Sequence, residues 1–153
     1  MMSWFHSFIS RSYIKEIDSL TFGRYTSDSY GEETYAIYNL SKDQLFIDKR
    51  EIWGEQNTFN KTYTFRGQLA SNEKFEIAKK LLHKVPKEIY NEKWKCLQKN
   101  FGHYQDILIV EISKGTEKTT VLIDDYIIDR LKLPNSLLTF RKLVEATLKK
   151  LKE

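Results

Sequence analysis

The chain has little with which to cross-link itself or hold a metal. Its single cysteine, Cys96, excludes an internal disulfide and a Cys-rich zinc site, and it points to a reducing compartment. The three histidines, His6, His83 and His103, have no metal-ligand spacing, so no metal and no cofactor is expected. Glycine and proline are also sparse, at six and two. Gly102 and Gly115 stand alone, and no glycine-rich phosphate loop exists. Continuous apolar runs are missing as well: none approaches the roughly 18 residues of a membrane span. Residues 1–16 form an amphipathic N-terminal segment. They lack the basic start, apolar core and small-residue cleavage site of a signal peptide. A cytoplasmic location is expected, with the envelope as the alternative if a signal sequence has been removed.

Aromatic residues are abundant, at 14% of the chain with nine Tyr and nine Phe. That composition favours strands and argues against disorder. Length fits one domain over residues 1–153 with a real core. The net charge of +4 is unevenly laid out. Residues 71–101 carry eight basic groups against four acidic, and residues 136–153 carry five against two. The positive excess therefore lies in the two segments with helical periodicity.

The organising stretch is 106–125, DILIVEISKGTEKTTVLIDD, read as a hairpin at the centre of a sheet. Near-continuous apolarity in 107–112 suggests burial on two faces. The segment 113–117 supplies the loop. Pairing Ser113 with Lys118 places Leu108, Val110 and Ile112 on one face with Thr119, Val121 and Ile123. That face should carry the helices. Ile107, Ile109 and Glu111 share the other with Thr120, Leu122 and Asp124. Upstream, strands are expected over 17–26, with Gly23 as a bulge, over 33–40, over 44–49 and over 62–69. A short helix is read over 3–13. Phe75, Ala78, Leu81, Leu82 and Val85 recur at helical spacing behind an N-cap at Ser71, and Pro86 ends that helix. Leu133-Pro134-Asn135-Ser136 opens the last helix, whose stripe is Leu137, Phe140, Val144, Leu148 and Leu151. The expected fold is α+β, a single antiparallel sheet of about six strands with helices packed on one face, in the order α-ββββ-α-ββ-α.

Chemistry is harder to find. Glu111, Asp124, Asp125 and Asp129 are the candidates for acid–base work. In the register above, Asp124 lies four residues along from Glu111, about 13 Å at roughly 3.3 Å per residue. Glycosidase pairs need roughly 5–9.5 Å. The aspartate spacing is not an EF-hand loop, which needs its glycine and glutamate. Lys93 and Lys95 beside Cys96 do not by themselves make a reactive thiol. Lysines of the helices are interleaved with acids at positions 73, 76, 88 and 92, which suits a solvated helix face better than a nucleic-acid stripe.

Four stretches, taken in order, resemble a family of small uncharacterised bacterial proteins, often lipoproteins of Bacteroidetes. They are Ile17-Asp18-Ser19-Leu20-Thr21-Phe22-Gly23-Arg24-Tyr25, then Val85-Pro86-Lys87-Glu88-Ile89. Asp106 ahead of an apolar strand carrying Glu111 follows, then Leu122-Ile123-Asp124 leading to Leu133-Pro134. The resemblance covers most of 17–152 and implies the strand–helix order. It carries no activity. The family has a Cys- and Gly-rich segment near Asp106 where this chain has Phe101-Gly102-His103-Tyr104-Gln105, and this chain lacks the lipidated cysteine.

The functional expectation is a non-enzymatic protein-binding module of inhibitor or immunity type, with Trp4, Phe5, Trp53 and Trp94 as candidate anchors. One alternative is a hydrolase-like enzyme using Glu111 and the Asp124, Asp125 and Asp129 cluster. The other is a nucleic-acid-binding protein using the lysine-rich helices.

Overall fold

The computed structural model describes residues 17–27, 33–52, 65–90, 105–124 and 133–152. Within them β1 (Ser19–Ser27), β2 (Glu33–Ser41), β3 (Leu45–Ile52), β4 (Gln68–Leu69), β5 (Gln105–Lys114) and β6 (Glu117–Asp124) form one antiparallel sheet. Its order is β4-β3-β2-β1-β5-β6. The helices are α1 (Asn72–Ala78), which runs on as a 3-10 turn over Lys79–His83, and α2 (Asn135–Lys152). A second 3-10 turn covers Lys87–Tyr90 behind Pro86. The fold is α+β, as the sequence predicts. The helix read over 3–13 lies outside the described residues.

The hairpin register is the expected one: Ser113 faces Lys118 and Glu111 faces Thr120. Pairing runs one residue pair further, to Lys114 and Glu117, leaving Gly115-Thr116 as a two-residue turn. Gly115 has φ +61°, the left-handed conformation such turns require. Asp18 secures this turn from the neighbouring strand. Its carboxylate accepts the Gly115 N–H at 2.7 Å, and its own N–H donates to the Ser113 carbonyl at 2.8 Å.

Three expectations need correction. The hairpin is not the centre of the sheet: β1 and β2 are, and among the described residues β6 has no outer neighbour. The reason is that β1 has two apolar-faced neighbours available, and it pairs along its whole length with both β2 and β5. Gly23 is no bulge either, since its pairing with Ile37 and Ile109 is in uninterrupted register. It is a close-approach glycine: a Cβ there would stand 2.2 Å from the Ala36 carbonyl oxygen. Finally, the strand expected over 62–69 reduces, in its described part, to Gln68–Leu69. Ahead of it the Arg66 N–H bonds the Asp48 carboxylate instead of joining the ladder.

One face of the sheet carries the main core. Leu20 and Phe22 of β1, Tyr38 and Leu40 of β2, Leu108, Val110 and Ile112 of β5, and Val121 of β6 are buried there. Ala78, Leu81, Leu82, Val85 and Ile89 meet them from the α1 region, and Leu137, Phe140, Val144, Leu148 and Leu151 from α2. Each large side chain so buried contributes about 1.5–3 kcal/mol. The Ser71 hydroxyl caps α1 by accepting the Lys74 N–H at 3.3 Å. Arg24, on the same face as Leu20 and Phe22, reaches the Glu145 carboxylate on α2, and Arg141 meets that carboxylate at 3.3 Å. No described helix is long and apolar enough to cross a membrane.

Candidate functional site: a groove on the face opposite the described helices

Alternation along each strand sends every second side chain to the face away from the helices. There the register stacks residues into rows across the sheet. One row is Asp48, Ile37, Gly23 and Ile109. The next is Phe46, Asn39, Thr21, Glu111 and Thr120, and a third is Ser19, Ser113 and Lys118. Ile37 and Ile109 are almost fully buried, at 0% and 2% exposure, as is Tyr25 on the same face. These three lie outside the helix-side cluster, so the sheet buries apolar surface on both sides.

The second and third rows open into a groove of about 470 Å³. Ile37 and Ile109 form its floor, Phe65 stands as a wall, and Ser19, Thr21, Asn39, Glu111, Ser113, Thr120 and Lys118 supply polar groups. Those groups are partly paired with each other. Asn39 Nδ2 donates to Thr21 Oγ1 at 2.8 Å, and Thr120 Oγ1 donates to Glu111 Oε2 at 2.8 Å. Each pair spans neighbouring strands, so the backbone ladder fixes it. The groove thus presents a half-buried carboxylate, one ammonium at its rim, and hydroxyl and amide groups held in register over an apolar floor.

The wall has its own support. Asp48, 1% exposed, accepts the Arg66 N–H at 2.9 Å and so fixes the chain next to Phe65. Gly67 lets the Phe65 ring fold against the backbone: a Cβ at that position would come within 2.3 Å of the ring and 2.9 Å of Phe46 Cβ.

Of the residues singled out from sequence, Glu111 lies in this groove beside Thr120, half-buried. The paired register puts Asp124 opposite Ile107, four residues from Glu111 along the strand direction. Asp125 and Asp129 lie outside the described residues, as do Trp4, Phe5, Trp53 and Trp94. Among the described residues, no three His, Cys, Asp or Glu side chains are grouped to hold a metal. Sequence reasoning missed Phe65, Asn39, Thr21 and Lys118. The signal for Thr21 and Lys118 is the recurrence of polar residues at every second position: Ser19 and Thr21, Glu111 and Ser113, Lys118 and Thr120. Phe65 offers no such signal, because a long-range hydrogen bond places it.

Comparison with protein-family models, curated proteins and solved structures finds no match.

Proposed function

We propose that this chain is a non-enzymatic binding protein of inhibitor or immunity type, and that it recognises a segment of a protein partner in the groove on the sheet face opposite the described helices. The observation that carries this reading is the pairing of the groove's polar groups over an apolar floor. Among the described residues the groove lining holds one carboxylate, Glu111, already accepting a hydrogen bond from Thr120. The strand register sets Asp124 about 13 Å along the strand from it, at roughly 3.3 Å per residue. A glycosidase carboxylate pair needs roughly 5–9.5 Å. A rigid surface of this kind suits recognition, because little side-chain entropy is lost on binding.

The partner segment carries a basic side chain. Its charge meets Glu111 while its aliphatic stem lies against Phe65, above the buried Ile37 and Ile109. Lys118, of opposite sign at the rim, gives the groove a polarity and so a preferred direction for the segment.

A photo-crosslinking residue at position 120 in the native host, followed by reconstitution with the purified adduct partner, tests this. Phe65→Ala and Glu111→Gln should each weaken that complex by about tenfold or more. Catalytic turnover by the purified chain, abolished in Glu111→Gln, would contradict the reading.

A further inference from the structure

Lys42, Lys79, Lys80 and His83 come from two separate parts of the chain and line one cavity of about 460 Å³ on the helix side of the sheet. Ser41, Phe75 and Leu82 also line it, and among the described residues of its lining there is no carboxylate. Lys42 arrives on the turn between β2 and β3, which is closed by the Ser41 N–H donating to the Gln44 carbonyl at 2.9 Å. The other three basic residues sit on the 3-10 turn after α1, which Leu81 and Leu82 anchor in the core. The charges are therefore mounted on fixed backbone. Lys79 also pairs with Glu76 at 2.5 Å, while Lys42, Lys80 and His83 are exposed.

We propose that this cavity binds an acidic segment of a partner protein in which carboxylates flank an apolar side chain. The basic side chains meet the carboxylates, and Phe75 and Leu82 receive the apolar residue. A nucleic-acid backbone fits less well. Its evenly repeated charges need a stripe free of acids, and here Asp43 follows Lys42 while Glu73 and Glu76 lie on α1. A short segment brings its few carboxylates to the basic side chains without running past those acids. The site uses other residues than the groove and lies across the sheet from it, so it stands independently of that reading.

The test is selection of a display library of random peptides on the immobilised full chain, with the selected peptide measured by fluorescence anisotropy. Selected peptides should be enriched in Asp and Glu around Leu or Phe. The Asn/Gln version of the peptide should bind about tenfold more weakly, and so should the Lys42→Gln/Lys80→Gln protein. Lys149→Gln/Lys150→Gln and Glu111→Gln should leave binding unchanged, and a single-stranded oligonucleotide of equal charge should not displace the peptide. Several outcomes overturn the proposal. They are absence of acidic enrichment, equal losses from both lysine pairs, loss in Glu111→Gln, and displacement by the oligonucleotide, which would assign the surface to nucleic acid.

Discussion

The carboxylate of Asp48, deep in β3, holds the backbone of Arg66, 18 residues further on, through a hydrogen bond of 2.9 Å. A buried acid thus does what a ladder would otherwise do, and it sets Phe65 beside the groove floor. Asp48→Ala leaves the Arg66 N–H without this acceptor and should cost about 1.5–3 kcal/mol, the range for hydrogen bonds to charged groups. Asp48→Asn keeps an acceptor and should cost less. Urea unfolding ranks the two, and faster hydrogen exchange at the Arg66 amide in Asp48→Ala identifies the cause.

Gly67 acts on the same wall from the other side. Gly67→Ala drives a methyl toward the Phe65 ring, 2.3 Å from the ideal Cβ. A ring edge can swing aside, so the expected loss of stability is modest, about 1 kcal/mol. The groove should change more than the fold does: partner affinity falls while the melting temperature moves by a few degrees. Calorimetry with the reconstituted partner separates the two effects.

Gly23 offers the contrasting case. Its missing Cβ would meet backbone, the Ala36 carbonyl oxygen at 2.2 Å and Ile37 Cα at 2.6 Å. Backbone in the middle of a sheet cannot step aside as a side chain can. Gly23→Ala should therefore destabilise by about 3 kcal/mol or more, the upper end for overpacking. Denaturant titration would show it, and a neutral result would remove the close-approach account of this glycine.

Arg24 and Glu145 link the sheet to α2, with Arg141 sharing the carboxylate. Their side chains are 23% and 34% exposed, so solvent screens the pair. A double-mutant cycle should give a coupling of about 0.5–1 kcal/mol, reduced by added salt. Glu145→Gln should cost more than Arg24→Gln, because it removes the carboxylate that both guanidiniums share.

Tyr38, stacked on Phe22 with ring centroids 5.5 Å apart, has its pKa pushed above the ordinary 10.0 by burial. The unfolded chain then loses this proton first as pH rises. The contribution of Tyr38 to stability is fully present below pH 10.0 and is lost above it, as pH rises through the raised folded value. Tyr90, raised by burial and then by Glu117, has the same sign. Tyr38→Phe keeps the ring and removes the titrating group. Its unfolding free energy should fall less steeply above pH 10.0 than that of the parent chain, while lysine titration, common to both, cancels in the difference.

The hairpin pairing, the α2 stripe and the Ser71 cap were all legible in the sequence, because short-range periodicity and local chemistry set them. Asp18 to Gly115, Asp48 to Arg66 and Arg24 to Glu145 were not, because each joins residues that only the strand order brings together. That order also explains why the 106–125 hairpin lies to one side: pattern marks a strand as buried without saying which strand sits beside it. Half of the groove was visible in the same way. Glu111 beside Thr120 follows from the hairpin register alone, whereas Asn39, Thr21 and Phe65 join them only once β1 inserts between β2 and β5.

Recognition in the groove opposite the described helices is tested most directly by methyl NMR of the full chain titrated with its purified partner. Shifts concentrated on the Ile37 and Ile109 methyls of the groove floor, with Thr21 and Thr120 following, are the predicted result. Shifts confined to the side chains of α2, with those four methyl-bearing residues unmoved, would contradict it.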